Sequence, residues 1–144
     1  MTEEDVRQFL SELNNTDEHP RLEAKKGVGK SLYETICAFS NEPALGGGVI
    51  LVGVEIGEEE MFDHYSACGV SSPDRLSQEI ATACASTFNR PVRPQITPVS
   101  IDGNIVLAVE VDEIHSGGKP IYFKKKRSSG GSVAAYRHDR SALH

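Results

Sequence analysis

The sequence predicts an α+β domain with a mixed, largely antiparallel sheet and about three helices. Three observations carry this. Three stretches repeat apolar residues at helical spacing. One run, "VILVGVEI" at 49–56, is apolar and β-branched almost without a break. And "DG" at 102–103 lies between two alternating stretches, the sequence form of a hairpin.

The elements follow in order. "VRQFLSEL" carries Val6, Phe9, Leu10 and Leu13 on one helical face, so an amphipathic helix opens the chain and ends near Asn14 and Asn15. After the turn-rich "NNTDEHP", "RLEAK" alternates, with Leu22 and Ala24 on one side of a short strand and Glu23 and Lys25 on the other. With Ser31 as N-cap, "LYETICAFS" aligns Leu32, Ile36 and Phe39 in a second helix, which "NEPALGGG" stops. The run from Val49 reads as a central strand covered on both faces and carried through Glu55. Residues 60–66 form a short partner strand. "SPDRLSQEIATACASTF" is a third helix, with Ser72 or Asp74 near its start and Leu76, Ile80 and Cys84 inward, and "NRPVRP" ends it. "QITPVSIDGNIVLAVEV" is the antiparallel hairpin. "KPIYFKK" and "SVAAYR" read as two further strands joined by the basic loop "KKRSSGG". There is no internal repeat.

Length and composition narrow the classes. A chain of 144 residues is one ordinary domain, here residues 1–144, and 38% hydrophobic with 25% charged residues suits a globular protein. No apolar run approaches the roughly 20 residues that span a bilayer, so no membrane role is expected. The acidic, amphipathic start lacks the features of a secretory signal, which points to the cytoplasm. Cys37, Cys68 and Cys84 are odd in number and have no Cys-x-x-Cys spacing, so reduced thiols are expected. The five histidines also lack metal-ligand spacing, and no resident metal or cofactor is expected.

A net charge of −6 opposes nonspecific polyanion binding unless the bases are segregated. They are clustered. "KKGVGK" at 25–30, "KKKR" at 124–127, Arg137 and Arg140 carry most of the basic character, while acids gather at the N-terminus and in "EEEMFD" at 58–63. The first cluster overlaps "GKS" at 29–31, three places of the phosphate-gripping Gly-x-x-x-x-Gly-Lys-Ser/Thr loop. Ala24 stands where that loop needs its first glycine, the preceding strand is short and half polar, and the later half of the chain is antiparallel. Together these exclude a nucleotide-hydrolysing P-loop enzyme.

The same residues fit another pattern. "LEAKKG", then "LYETICAFSN", then "GGGVILVGVE", with "KPIYF" and "AAYRHDRSA" further on, resembles the Schlafen AlbA-like family across about residues 5–142. That family has also been called divergent AAA. The chain departs from it in the inserted "EPAL", in Glu55 where the family has Asp, and in His138 and Asp139 near the end. The resemblance implies the family's α+β fold and a DNA-binding module, the N-terminal part of a larger transcriptional regulator.

Three functions follow as expectations. In a nucleic-acid-binding module, Lys25, Lys26, Lys30, Lys124, Lys125, Lys126, Arg127 and Arg137 contact phosphates, which position a protein without reading sequence. Gly27 and Gly29 let backbone N–H groups join them at the start of the second helix. Against this, residues two apart on a strand share a face, so Lys25 is equally suited to pairing with Glu23 or Glu55. The alternative, which the resemblance suggests, is a divalent-metal-dependent RNase: Glu18, Glu23 and Glu55 correspond to the family's three acids, with Lys25 stabilising phosphate and Mg or Mn as the ion. The third is an interaction or homodimerisation domain using exposed sheet edges.

Overall fold

The computed structural model describes residues 1–16, 19–59 and 62–124. Its first helix, α1 (Glu3–Asn15), begins at a complete capping box: Thr2 Oγ1 accepts from the Asp5 N–H and the Asp5 carboxylate accepts from the Thr2 N–H. Then come β1 (Leu22–Lys25), α2 (Lys30–Asn41), β2 (Gly48–Val52), β3 (Val54–Glu59), β4 (Phe62–Ala67), α3 (Pro73–Ser86), β5 (Gln95–Ile101), β6 (Asn104–Val111) and a 3₁₀ turn at Ser116–Gly118. Among the described residues no helix is long and apolar enough to cross a membrane.

The main sheet has the order β1-β2-β6-β5. Only β1 and β2 are parallel; they are joined through α2, and the other pairs are antiparallel. Alternation along the strands sends side chains to two cores. On one face Ile50, Val52, Leu107 and Val109 pack under α2 and α3 with Leu32, Ile36, Ile80 and Cys84. On the other, Leu51, Val106 and Ala108 meet Val6 and Leu13 of α1 together with Val54 of β3. The mixed, largely antiparallel sheet with three helices is therefore present as the sequence predicts.

Three details differ from the sequence reading. The run 49–56 is two strands, not one. At Gly53 the backbone takes φ +102°, a conformation glycine adopts freely, and the chain leaves the main sheet for the β3–β4 hairpin. Its N–H donates to Lys25 O at 2.8 Å, and its carbonyl accepts from the Cys68 and Gly69 N–H groups, which fixes the bend. Glu55 thus stands on β3. Second, the N-cap of α2 is Gly29, not Ser31. Third, Lys119–Lys124 is no strand; its one ladder contact among the described residues is a bridge between Phe88 and Phe123. "SVAAYR" lies outside the described residues.

Side-chain amides supply what that segment lacks in ladder bonds. Asn41 Oδ1 accepts from the Ile121 N–H at 2.7 Å while its Nδ2 donates to Ile121 O at 2.8 Å. Asn89 Oδ1 accepts from the Tyr122 N–H at 2.8 Å and its Nδ2 donates to Pro120 O at 3.2 Å. Asn14 does the same for Tyr65, which ties α1 to β4. An asparagine side chain presents one acceptor and one donor, as a peptide group does, and so stands in for a neighbouring strand.

Candidate nucleic-acid interface

Residues 26–29 connect the C-terminal end of β1 to the first turn of α2. This is the strand, loop and helix order of a phosphate-gripping loop, but β1 is a four-residue edge strand and Ala24 packs on the α1 side. The helix start is unusual beside α1. Where α1 has Glu3, Glu4 and Asp5 in its first turn, α2 has no acid there, and no side chain caps it. The Leu32 N–H donates to Gly29 O at 3.1 Å, and the positive end of the helix dipole faces the loop without an acid to offset it.

The glycines of this loop have no structural necessity. A Cβ built on Gly27 or Gly29 would meet nothing within 4 Å. Gly29 has φ −167°, extended backbone that any residue adopts. Gly47, by contrast, has φ +87° and would bring a Cβ to 1.9 Å from Val111 O. Neither strain nor packing accounts for glycine at 27 and 29, whereas close approach of a ligand to the backbone would.

The lysines divide into two kinds. Lys25 Nζ is 2.9 Å from Glu23 Oε2 and its side chain is only 19% exposed, so it is occupied within the protein as the two-residue spacing allowed. Glu23 Oε2 also accepts from the Thr35 hydroxyl of α2 at 2.5 Å. Lys26 is 78% exposed and touches Glu55 Oε2 only loosely, at 3.7 Å. Lys30 is exposed at the first position of α2. Lys124 stands apart from the loop in the chain: its N–H donates to Thr87 O just past α3. Lys125, Lys126, Arg127, Arg137 and Glu18 lie outside the described residues.

Two of the three acids of the nuclease alternative, Glu23 and Glu55, are brought near the same loop. Glu23 lies on β1 and Glu55 on β3, each paired with one of the consecutive lysines Lys25 and Lys26. Among the described residues no group of three His, Cys, Asp or Glu side chains is arranged to hold a metal. Two carboxylates already paired with ammonium groups do not by themselves fit a divalent ion, which wants several free oxygens.

The cysteines are free, and Cys37 and Cys84 are buried. Burial pushes the Cys84 thiol up to about 11 and raises that of Cys37, with the Asn41 amide partly opposing it. Both are therefore thiols at neutral pH and poor nucleophiles. Burial also raises the Tyr33 phenol, to about 12, helped by its neighbours Cys84 and Glu79.

Sequence reasoning passed over one pair of bases. Arg90 and Arg93, in "RPVRP", line a cavity beside Ile121. The signal was available, since each arginine precedes a proline that restricts its backbone to extended conformations.

The family model described as Schlafen, AlbA_2 matches residues 6–142. Among solved structures, the chain is similar to the solution NMR structure of the N-terminal domain of a protein from Nitrosomonas europaea described as related to the ATP-dependent DNA helicase RecG. The two share 38% identity with a TM-score of 0.77, over 86% of this chain and 83% of that one. The crystal structure of the DIP2311 protein from Corynebacterium diphtheriae shares the fold, with TM-score 0.52 and 20% identity over 85% of this chain and 23% of that one. No curated protein matches the chain.

Proposed function

The chain belongs to the Schlafen AlbA_2 family, and from that premise we propose that it is a nucleic-acid-binding domain that holds DNA phosphates at the β1–α2 loop. Its wider role would be the DNA-binding part of a larger, transcriptional-regulator-like protein. The observation that carries the reading is the pair of glycines, Gly27 and Gly29, without internal purpose before an uncapped helix start. Lys26 and Lys30 flank them, so a phosphate run at this loop would meet lysine side chains beside the backbone. The neighbour from Nitrosomonas europaea, named for a DNA helicase, supports nucleic acid as the ligand.

Fluorescence anisotropy of a labelled random duplex, from low to physiological salt, tests this. Affinity is expected to fall log-linearly with salt. Lys26→Glu with Lys30→Glu should reduce the slope by roughly two phosphate contacts. An unchanged slope would remove the loop from the interface, and no binding at low salt would remove the function.

A second reading, the metal-dependent RNase, keeps one supporting observation: Glu23 and Glu55 are both held beside the phosphate loop by its lysines. Its test is RNA cleavage with added manganese. Activity in the wild type that disappears in Glu23→Gln and Glu55→Gln would raise this reading above simple binding, and equal behaviour of all three proteins would end it.

A further inference from the structure

A cavity of about 470 Å³ opens between the loop after α3 and the segment after β6, with Arg90 and Arg93 on one side and Ile114 and Ile121 among its lining. That volume lies in the range of small-ligand sites. Three features make it more than a dent in the surface.

The first is charge. Neither Arg90 nor Arg93 has a hydrogen-bond or ion-pair partner among the described residues, although the chain carries 21 acids against 15 lysines and arginines. The acid in the lining, Glu113, is already engaged: its Oε2 accepts from Lys119 Nζ at 2.7 Å and its Oε1 from the Gly46 N–H at 3.0 Å. The guanidinium pair therefore presents uncompensated positive charge in fork geometry suited to phosphate.

The second is rigidity. Pro91 and Pro94 follow the two arginines directly, and between them Val92 is buried with its N–H donating to Cys84 O at 3.0 Å. On the facing side the Ile114 N–H donates to Ser40 O, and Ile121 is clamped by Asn41. Both walls hang on α2 and α3, so the backbone needs little ordering on binding and the cost falls on the arginine side chains.

The third is the mixture of surfaces. Ile114 is partly buried and Pro91 exposed, an apolar surface next to the charged rim, while Ile121 beneath them is 1% exposed and offers almost none. A small inorganic anion would leave that surface unused. A phosphate carrying a flat organic group would use both.

We propose that this cavity binds one nucleoside monophosphate unit, with its phosphate on Arg90 and Arg93 and its base against Ile114 and Pro91. The unit comes either as a free nucleotide or as the phosphorylated end of a strand. The proposal rests on the nucleic-acid reading only for the second source.

Backbone amide NMR on the whole chain tests it. Titration with deoxyadenosine 5′-monophosphate is expected to give saturable shifts at Arg90, Arg93, Ile114 and Ile121. In Arg90→Ala with Arg93→Ala, both exposed positions, binding should weaken at least about tenfold, the loss of about 1.4 kcal/mol, while peak dispersion stays native. Inorganic phosphate should move the arginine amides and spare Ile114. A single-stranded oligonucleotide with a 5′-phosphate that displaces the mononucleotide, where its dephosphorylated form does not, identifies the strand end as the source; equal behaviour of the two identifies the free nucleotide. Absence of saturable shifts at these residues, or shifts indifferent to the double substitution, overturns the proposal whatever duplex DNA does. Shifts at the cavity in a protein that binds no duplex would leave the cavity standing and remove the phosphate loop.

Discussion

Asn41→Ala is expected to destabilise this domain strongly. Asn41 is the last residue of α2, and its amide is matched donor to acceptor with both backbone groups of Ile121. Ile121 is 1% exposed, so water does not replace those bonds at once. The Ile121 carbonyl keeps the Cys37 thiol as a weak donor, at 3.1 Å, but its N–H is left with none. An unsatisfied buried N–H costs about 1–3 kcal/mol, and the lost bond to the carbonyl about 1 kcal/mol. The sum is about 2–4 kcal/mol, or a fall in melting temperature on the order of 10 °C for a domain of this size. Urea unfolding followed by circular dichroism measures it. A loss below about 0.5 kcal/mol, the range of an ordinary surface change, would refute the idea that this amide replaces a strand. Asn41→Asp sharpens the assay: it keeps an acceptor for the N–H but turns a carboxylate oxygen toward the Ile121 carbonyl, so it should also destabilise at neutral pH.

The glycines give paired predictions of opposite kind. Gly47→Ala, with φ +87° and a new Cβ at 1.9 Å from Val111 O, must push β2 away from β6 and should cost about 3 kcal/mol or more in the same unfolding assay. Gly27→Ala meets no atom and should leave stability within about 0.5 kcal/mol. Its duplex affinity should nonetheless drop about tenfold, the worth of one charge-assisted hydrogen bond that a methyl group obstructs; unchanged affinity in the anisotropy titration would show that no ligand approaches there.

Much of the architecture was legible because it rests on local periodicity. Val6 and Leu13, Leu32 and Ile36, and Ile80 and Cys84 are buried at the helical spacings that predict them. Asp102 and Gly103 both have positive φ, as a two-residue turn between Ile101 and Asn104 requires. What escaped was non-local. The split of 49–56 depends on Gly53 being tied at once to Lys25, Cys68 and Gly69, and an apolar run carries no sign of where it changes sheets. Residues 119–124 looked like a strand because Ile121 and Phe123 alternate with polar neighbours, yet their hydrogen bonds go largely to asparagine side chains far away in sequence. The site was half legible. "KKGVGK" marks the loop, but that Lys25 turns inward to Glu23 while Lys26 stays exposed depends on which face of β1 meets α2.

This division bears on how a chain of net charge −6 would hold a polyanion under the proposed function. Counting lysines overstates what the loop offers, since Lys25 is neutralised in place and Lys26 loosely shared with Glu55. If side-chain charge alone attracted DNA, Glu23 and Glu55 beside these lysines would offset much of it. The helix start adds a different contribution. Its N–H groups carry fixed partial charges, need no counterion, and act at hydrogen-bond range, where the longer-range repulsion of a chain with net negative charge matters least. Binding built this way is short-ranged and geometrically demanding. It should tolerate the loss of a lysine better than the gain of a Cβ at Gly27, and that ordering separates a backbone cradle from a basic patch.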